Sequence, residues 1–340
     1  MKKELWIEKL RVIATMAVVM QHVIGGTYVS NPSNVPQYRV IFDCDLLIVL
    51  TKWAVPVFLM ITGYFLLDPN KELSGAKIAK YIKRMLWVLL TFGLGYCLIE
   101  SYVNYIDEGI GKVVTNSLIN LIMGNSWDHM WYVYMLIGIY AVTPIIKAFI
   151  NNSSDKGLKE MLLLLFVMTI VLPTITCYTG INVSNFYMFD EPYLFYYMFG
   201  YCISKIRISA KWWMLLGSVA SICMSIVVGV DITFKDSVFR YNGVCVAVLA
   251  MSIFAVGYNC SKNSRGQQGM NWVVEFLSKR SFCIYLVHTF FLNLMYKGLN
   301  MYPTDLPIAV GESVYLAIAL VGSFIAYEIL SRIPFIKKII

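Results

Sequence analysis

The sequence predicts an all-α polytopic membrane protein, a bundle of about ten transmembrane helices. Of its 340 residues, 59% are hydrophobic and only 14% are charged, and the mean hydropathy is +0.66. Apolar runs of about 20 residues, the length that crosses a bilayer as a helix, recur along the whole chain. These spans leave no length for a separate soluble domain, so we expect residues 1–340 to form a single transmembrane domain.

Ten apolar segments form the predicted bundle, and an even number places both termini on one side of the membrane. The segments are 10–29, 46–67, 85–104, 129–150, 160–178, 186–204, 212–230, 241–259, 281–297 and 308–330. With the N-terminus inside, most of the 28 lysines and arginines fall in cytoplasmic segments. Those on the external side are Arg39, Lys112, Lys235, Arg240 and Lys297. Because cytoplasmic loops are enriched in Lys and Arg, we predict a plasma-membrane protein with both termini in the cytoplasm.

Charge and cysteine usage argue against other classes of protein. The net charge of +8 is scattered through short loops, which is typical of topology signals and not of a nucleic-acid partner. The eight cysteines form no C-x-x-C pair and have no histidine at metal-ligand spacing. We therefore expect neither a metal site nor disulfides. The first apolar run is long and lacks a small-x-small cleavage site, so we interpret it as a retained span.

The first predicted helix carries an arginine and a histidine on one face. His22 follows Arg11 by eleven positions, which is almost three full helical turns. The two side chains therefore point the same way, roughly 16 Å apart along the axis. Ionisable groups inside a membrane segment usually mark a substrate path or a reaction site. His22 is a candidate general base, and Arg11 is either a topology signal or a contact to an anionic ligand.

A basic stripe precedes the third span. Lys77, Lys80 and Arg84 are spaced i, i+3 and i+7, and Lys83 lies beside them. The stripe serves either as a topology signal or as a phosphate-binding mouth next to Arg11. No Walker-type or G-x-G-x-x-G loop is present, so any nucleotide would be held by side chains.

The second span contains two residues that loosen a helix. Pro56 and Gly63 lie inside the apolar segment 53–67. Such residues either serve simple packing or mark a broken helix beside a cavity. Lys52 in the same span and Glu100 in the third are further intramembrane charges that could pair structurally.

Acidic and aromatic residues gather at the predicted external ends of spans. Two interpretations explain these Trp and Tyr residues equally well: an interfacial aromatic belt, or a binding site for a sugar or other polyol. The candidate acceptor contacts are Asp128, His129, Trp131, Tyr132, Asp190 and Glu191. In span nine, Tyr285 and His288 share one face as candidate supporting residues or as a buried hydrogen-bonded pair.

Four sequence blocks together resemble the acyltransferase 3 family of integral membrane O-acyltransferases, over nearly the whole chain. They are the Arg11 and His22 spacing, VPVFLMITGY at 55–64, HMWYVYMLIGIYAVTP at 129–144 and SFCIYLVH at 281–288. The resemblance implies transfer of an acyl group, usually acetyl, from cytosolic acetyl-CoA to a hydroxyl of a cell-surface carbohydrate. It also implies that the Arg and His of span one are key residues.

The family pattern entering span three is R-x-x-R. Arg84 fits its first position, but the second position is Trp87 in this sequence. Lys80 or Lys83 is a candidate to replace the missing second arginine.

These observations predict a donor site and a base at different depths of the membrane. In this hypothesis the CoA phosphates dock at Arg11, Lys80, Lys83 and Arg84, and the thioester reaches His22. His22 then deprotonates the acceptor hydroxyl or first accepts the acyl group itself. The alternative is a transporter or exporter of a small polar or sugar-lipid solute, with His22 as a proton relay.

Overall fold

The computed structural model describes residues 4–30, 47–181, 183, 191–230, 239–263 and 272–340. Within these ranges the chain is helical, with turns and short connections but no strand. The main helices are Leu5–Ser30, Ala54–Leu66, Gly75–Val88, Leu94–Tyr105, Ile110–Met123, Trp131–Asn152, Asp155–Phe166, Leu172–Thr179, Tyr193–Cys202, Ala210–Val230, Val244–Asn263, Trp272–Asn293 and Ile308–Leu330. Single π-helical segments, Leu89–Gly93, Val167–Val171 and Leu294–Gly298, join or extend several of them.

The described part of the chain has seven helices that are long and apolar enough to cross a membrane. They are Val49–Leu66, Gly75–Glu108, Ile110–Asn152, Asp155–Thr179, Ala210–Val227, Val244–Lys262 and Val310–Leu330. This finding supports the all-α multi-pass architecture. The predicted number of about ten spans and the cytoplasmic position of both termini stay predictions.

The predicted span boundaries differ from the helices in two informative places. The ninth span was expected from residue 281, and its helix is Trp272–Asn293, so Glu275, Lys279 and Arg280 lie in a charged first half that the apolar pattern does not include. In the second span, Val49–Leu66, Lys52 and Trp53 keep helical φ and ψ, and only the regular hydrogen-bond pattern breaks at these two residues. Pro56 has no N–H to donate to the Lys52 carbonyl four residues earlier, which explains this local break.

The chain forms two compact units. The first unit contains Met1–Asp68 and Asn152–Phe324, and the second contains Pro69–Asn151 and Ile325–Ile340. The expected single domain over residues 1–340 stays a prediction.

Two glycines let helices of the first unit approach backbone to backbone. A Cβ added at Gly63 would overlap the carbonyl of Tyr197, and one added at Gly200 would overlap the carbonyl of Met60. Small residues at such crossings are characteristic of membrane helix packing, since van der Waals contact replaces the hydrophobic driving force. Gly63 is therefore a packing residue, and the break in this span lies at Lys52.

The first helix packs along Trp272–Asn293 and the segment that follows it. A buried cluster surrounds this packing and includes Val19, Val23, Ile284, Leu292, Tyr296, Tyr315 and Ala319. The rings of Tyr296 and Tyr315 stack with centroids 5.6 Å apart and planes at 10°. The cluster packs against the second half of the first helix, where His22 lies.

The second unit contains a helical hairpin. Helix Leu94–Tyr105 packs against Ile110–Met123, and the Ser117 hydroxyl donates to the Cys97 carbonyl over 3.2 Å. The second helix ends at Gly124, whose φ of 77° is the left-handed conformation that glycine adopts readily. Helix Trp131–Asn152 then begins after a short 3-10 turn, Asp128–Met130.

Candidate active site

Arg11 and His22 face the same neighbouring helix of the first unit. One helix, Leu5–Ser30, carries both residues without a break. Arg11 Nη1 lies 3.4 Å from the Ser278 hydroxyl, and the His22 ring lies 5.0 Å from the His288 ring between centroids. The prediction that the two side chains share a face is confirmed. Because the contacts follow the same order along both helices, Leu5–Ser30 and Trp272–Asn293 run parallel, as two odd-numbered spans should.

Hydrogen bonds to the residues on either side of His22 hold its position. Gln21 Nε2 donates to the Thr51 carbonyl over 2.8 Å, and the Tyr296 hydroxyl donates to the Val23 carbonyl over 3.1 Å. These bonds come from different parts of the unit, so they restrain both rotation and sliding of the helix. His22 itself is partly exposed.

His288 is completely buried beside His22, and its ring is held by its own helix. Nδ1 lies 3.0 Å from the Ile284 carbonyl oxygen and 2.8 Å from that of Tyr285. Carbonyl oxygens only accept hydrogen bonds, so this geometry assigns the proton of the neutral ring to Nδ1. Tyr285 contacts His288 through its main-chain oxygen, with the two rings 6.3 Å apart, and the supporting role predicted for both residues stays a prediction. Nε2 of His288 is then the acceptor side of the ring.

Arg11 has a carboxylate partner that the sequence reasoning missed. Its Nη1 forms a 2.8 Å ion pair with Glu8 Oε2, and the Ser278 hydroxyl donates to the same oxygen. The signal was present, since Glu8 precedes Arg11 by three positions, a spacing that joins side chains on a helix. With 29% of its side chain exposed, Arg11 remains accessible. Both contacts involve Nη1, and a guanidinium has five N–H donors.

A polar cavity lies in the first unit, and Glu191 is one of its walls. The cavity has a volume of about 530 Å³ and is also lined by Lys52, Tyr193 and Tyr241. The interpretation of the second span as a broken helix beside a cavity stays a prediction. Asp190, the other acidic residue predicted there, lies outside the described residues.

The basic residues predicted for CoA lie in the second unit. Lys80 and Lys83 are exposed on helix Gly75–Val88. Arg84 donates from Nε to the Ile339 main-chain oxygen over 3.0 Å and from Nη2 to that of Ile340 over 3.2 Å. Trp87, at the second position of the family pattern, packs edge-on against Phe335 with centroids 5.1 Å apart. The role of these residues in donor binding stays a prediction.

The aromatic cluster predicted to contact the acceptor also lies in the second unit. Asp128 is exposed, whereas His129 is only 2% exposed and meets the edge of the Tyr96 ring at 5.5 Å. Trp131 and Tyr132 are partly buried and contact one another with centroids 6.0 Å apart. Packing therefore accounts for His129, while Asp128 is accessible for a ligand; the acceptor role stays a prediction.

The helices and the histidine pair define a class of protein, namely a multi-pass membrane protein with a histidine site between two parallel helices. A family model described as an acyltransferase domain matches residues 4–328. The chain therefore belongs to the acyltransferase 3 family, as the four sequence blocks predicted, and this membership indicates an acyltransferase. Searches of curated proteins and of solved structures give no match. Within the described ranges, no three His, Cys, Asp or Glu side chains group to hold a metal ion.

Proposed function

We propose that the protein is a membrane O-acyltransferase that moves an acyl group, acetyl, from acyl-CoA to a hydroxyl of a cell-surface carbohydrate. The observation that supports it best is the pairing of His22 with His288 inside a chain of the acyltransferase family. A histidine can take and return a proton near neutral pH, which acyl transfer to a hydroxyl requires.

His22 is the general base in this mechanism. The acceptor oxygen forms a bond to the thioester carbonyl carbon while His22 takes the hydroxyl proton. The carbon–sulfur bond then breaks, and the CoA sulfur leaves with the electron pair and takes a proton from the His22 imidazolium. The products are the ester and free CoA thiol, and His22 is neutral again.

His288 orients the base. Its Nδ1 is engaged by the Ile284 and Tyr285 carbonyls, so its Nε2 is the atom able to accept a hydrogen bond from the neighbouring ring. An acceptor on one side of His22 favours the tautomer whose other nitrogen has a lone pair for the substrate proton. A third group that orients a catalytic base is a recurring arrangement in acyl transfer.

Arg11 is the proposed donor contact of the first unit. The Glu8 carboxylate holds its guanidinium in place, and the N–H groups beyond Nη1 can bind a phosphate of CoA. In the second unit, Lys80, Lys83 and Arg84 stay the proposed cationic contacts for the donor. Asp128, His129, Trp131, Tyr132, Asp190 and Glu191 remain the proposed acceptor contacts.

The test is acetyl transfer by His22→Ala in membranes supplied with labelled acetyl-CoA. Losing a general base lowers such a rate by about 10²- to 10⁴-fold. Met16→Ala is the matched control, since Met16 lies on the same helix and is 39% exposed on its outer face. Wild-type transfer by His22→Ala, with Met16→Ala equally active, contradicts the proposed mechanism.

The transporter alternative predicts a different result. Acetyl-CoA should raise the thermal stability of the purified acyltransferase by binding its folded state. A transporter should give no such shift and should show solute flux that responds to a proton gradient.

A further inference from the structure

The segment 331–340, which follows helix Ile308–Leu330, lies against the basic stripe of the second unit. Both the segment and the stripe belong to this unit. The segment contains a 3-10 turn, Ile336–Lys338, and the Lys338 N–H donates to the Phe335 carbonyl over 3.1 Å. It therefore has a local structure of its own, which it brings to the stripe as a piece.

Arg84 holds this segment through two neighbouring N–H groups of its guanidinium. Nε donates to the Ile339 main-chain oxygen over 3.0 Å, and Nη2 donates to that of Ile340 over 3.2 Å. Two such N–H groups form the planar fork with which an arginine binds two oxygens of a phosphate or carboxylate. The two main-chain oxygens therefore take the positions at which a phosphate would present two of its own oxygens to Arg84.

A second contact of the segment involves the other position of the family pattern. Trp87 follows Arg84 by three residues and packs edge-on against Phe335, with centroids 5.1 Å apart. Ile339 buries its side chain, which is 3% exposed. The segment thus contacts both positions at which the family pattern has an arginine.

The segment is held in a way that a phosphate can reverse. A hydrogen bond from a guanidinium to an ionised oxygen is roughly twice as strong as one between neutral groups, so a phosphate is a better partner for the Arg84 fork than two main-chain oxygens are. Displacement also exposes little further surface of most of the side chains. Those already exposed are Arg332, Ile333, Pro334, Phe335, Lys337 and Lys338.

We propose that the segment 331–340 is an autoinhibitory strap, which occupies the Arg84 fork and must be displaced by a phosphate of acyl-CoA. The inference rests on the proposed function, since it names the regulation of the donor site of that same reaction. Only the molecules whose fork is open bind the donor, so the seated strap lowers the apparent donor affinity by that fraction. Donor binding in turn releases the strap, because the coupling between two binding events is reciprocal.

The first experiment measures CoA binding by calorimetry, with the full-length protein in phosphatidylcholine nanodiscs. Phe335→Ala removes the ring that packs on Trp87 and leaves Arg84 in place. We expect this variant to bind CoA about fivefold more tightly than wild type, since an edge-on aromatic pair contributes about that factor. Ile333→Ala is the matched control, because Ile333 lies in the same segment and is 44% exposed against 43% for Phe335. It should bind CoA as wild type does.

A double variant tests whether the strap acts through Arg84. Arg84→Gln should weaken CoA binding by about tenfold, because hydrogen bonds to a charged group are lost. Adding Phe335→Ala to Arg84→Gln should then change nothing further, since the fork for which the strap competes is gone. A fivefold gain that persists without Arg84 would overturn competition at this fork.

Hydrogen exchange of the strap gives a measurement that does not depend on catalysis. The Lys338 N–H is bonded within the seated 3-10 turn, and it should exchange faster once CoA displaces the strap. Discs that contain phosphatidylglycerol are the comparison, because this lipid offers the same phosphate chemistry. Faster exchange with the anionic lipid, and no change with CoA, would assign the displacing phosphate to a lipid and overturn competition with the donor.

Three results separate the strap from the proposed function. If wild type binds CoA and Phe335→Ala binds it equally or more weakly, the strap is wrong and the donor site stands. If neither protein binds CoA, the proposed acyl transfer and the strap fail together. If His22→Ala keeps full acetyl transfer, only the proposed base is wrong, because CoA binding does not require it.

Discussion

The two units hold their buried histidines in different surroundings. In the first unit, His288 has its Nδ1 on two carbonyl oxygens and its ring against a second histidine, His22. In the second unit, His129 lies in a short 3-10 turn and meets the ring edge of Tyr96, which itself stacks on Trp127 at 4.2 Å. Both are nearly inaccessible, so burial alone does not separate a reactive histidine from a packed one.

The neighbours of each histidine make the difference. A ring that contacts another titratable ring, one of them partly exposed, can pass a proton toward a substrate. The described ring contact of His129 is with an aromatic side chain, Tyr96, and not with a second histidine. We therefore assign the chemistry to the first unit and regard His129 chiefly as part of the packing beneath the exposed Asp128.

The two units also differ in how closely their helices approach each other at glycines. Gly63 and Gly200 of the first unit lie against carbonyl groups of the facing helix, whereas Gly95 and Gly138 of the second have open space where a side chain would begin. Helices Ala54–Leu66 and Tyr193–Cys202 of the first unit are therefore in direct backbone contact. Close contact of this kind leaves little freedom to shift, which suits a site that must hold two rings in register.

The largest expected effect tests that contact. Gly63→Ala would place a methyl group on the Tyr197 carbonyl, and two backbones must separate to accept it. We expect a loss of about 3 kcal/mol or more in the free energy of unfolding, or no folded protein at all. Thermal unfolding of the detergent-purified protein measures it.

Gly95→Ala is the matched control for this change. It adds the same methyl group to a helix in the second unit where nothing lies within 4 Å, and replacing a helical glycine by alanine should stabilise slightly. An equal midpoint for Gly63→Ala and Gly95→Ala would show that the two units pack alike and would end the comparison.

The second largest expected effect is a loss of transfer rate in variants of His288, and it tests whether this histidine positions His22 or acts as a base itself. We expect His288→Ala to lower the transfer rate by about 10²-fold, because a misplaced catalytic group costs about that much. His288→Gln should recover part of it, since the glutamine amide can reach the position of Nε2. Steady-state kinetics should show the loss in kcat more than in KM.

Phe290→Ala is the control, at an exposed position on the same helix. Equal loss in His288→Ala and His288→Gln, matching that of His22→Ala, would make His288 a direct participant in the reaction. No loss in either variant would make its contact with His22 a matter of packing, as for His129.

Much of this site follows from helical periodicity. The eleven-residue spacing of Arg11 and His22 predicts one face, and the structure brings both to the helix Trp272–Asn293. Pro56 likewise accounts for the local change in hydrogen-bond pattern at Lys52, because proline has no N–H for the carbonyl four residues earlier. Such features are local, because every relevant atom lies within a few turns of one helix.

The rest depends on contacts between distant parts of the chain. No spacing within a helix brings His288 to His22 or Lys52 to the Tyr241 ring, since these pairs depend on how helices are ordered in the bundle. The Gly63 and Gly200 contact is of the same kind. Glu8 is the exception, because its i, i+3 spacing to Arg11 was readable and its carboxylate changes the charge at that position.

The smallest effect concerns an ion pair on the surface of the first unit. Lys205 Nζ lies 2.8 Å from Asp155 Oδ1, and this hydrogen bond raises the pKa of Lys205 above its ordinary value of 10.5. A lysine whose folded-state pKa is raised contributes stability that is fully present below 10.5 and is lost as the pH rises through the folded-state pKa. We therefore expect Lys205→Met to lower Tm by no more than about 2 °C near neutral pH, because exposed pairs contribute little.

The difference between Lys205→Met and wild type should vanish at high salt and shrink above pH 10.5. Lys159→Met is the control: it removes an exposed lysine near the same helix start that has no ion pair within the described part of the chain. A Tm loss for Lys205→Met as large as that for Gly63→Ala would mean that surface charge, and not backbone contact, holds the first unit together. The histidine pair would then depend on salt and pH through the fold as well as through its own protons.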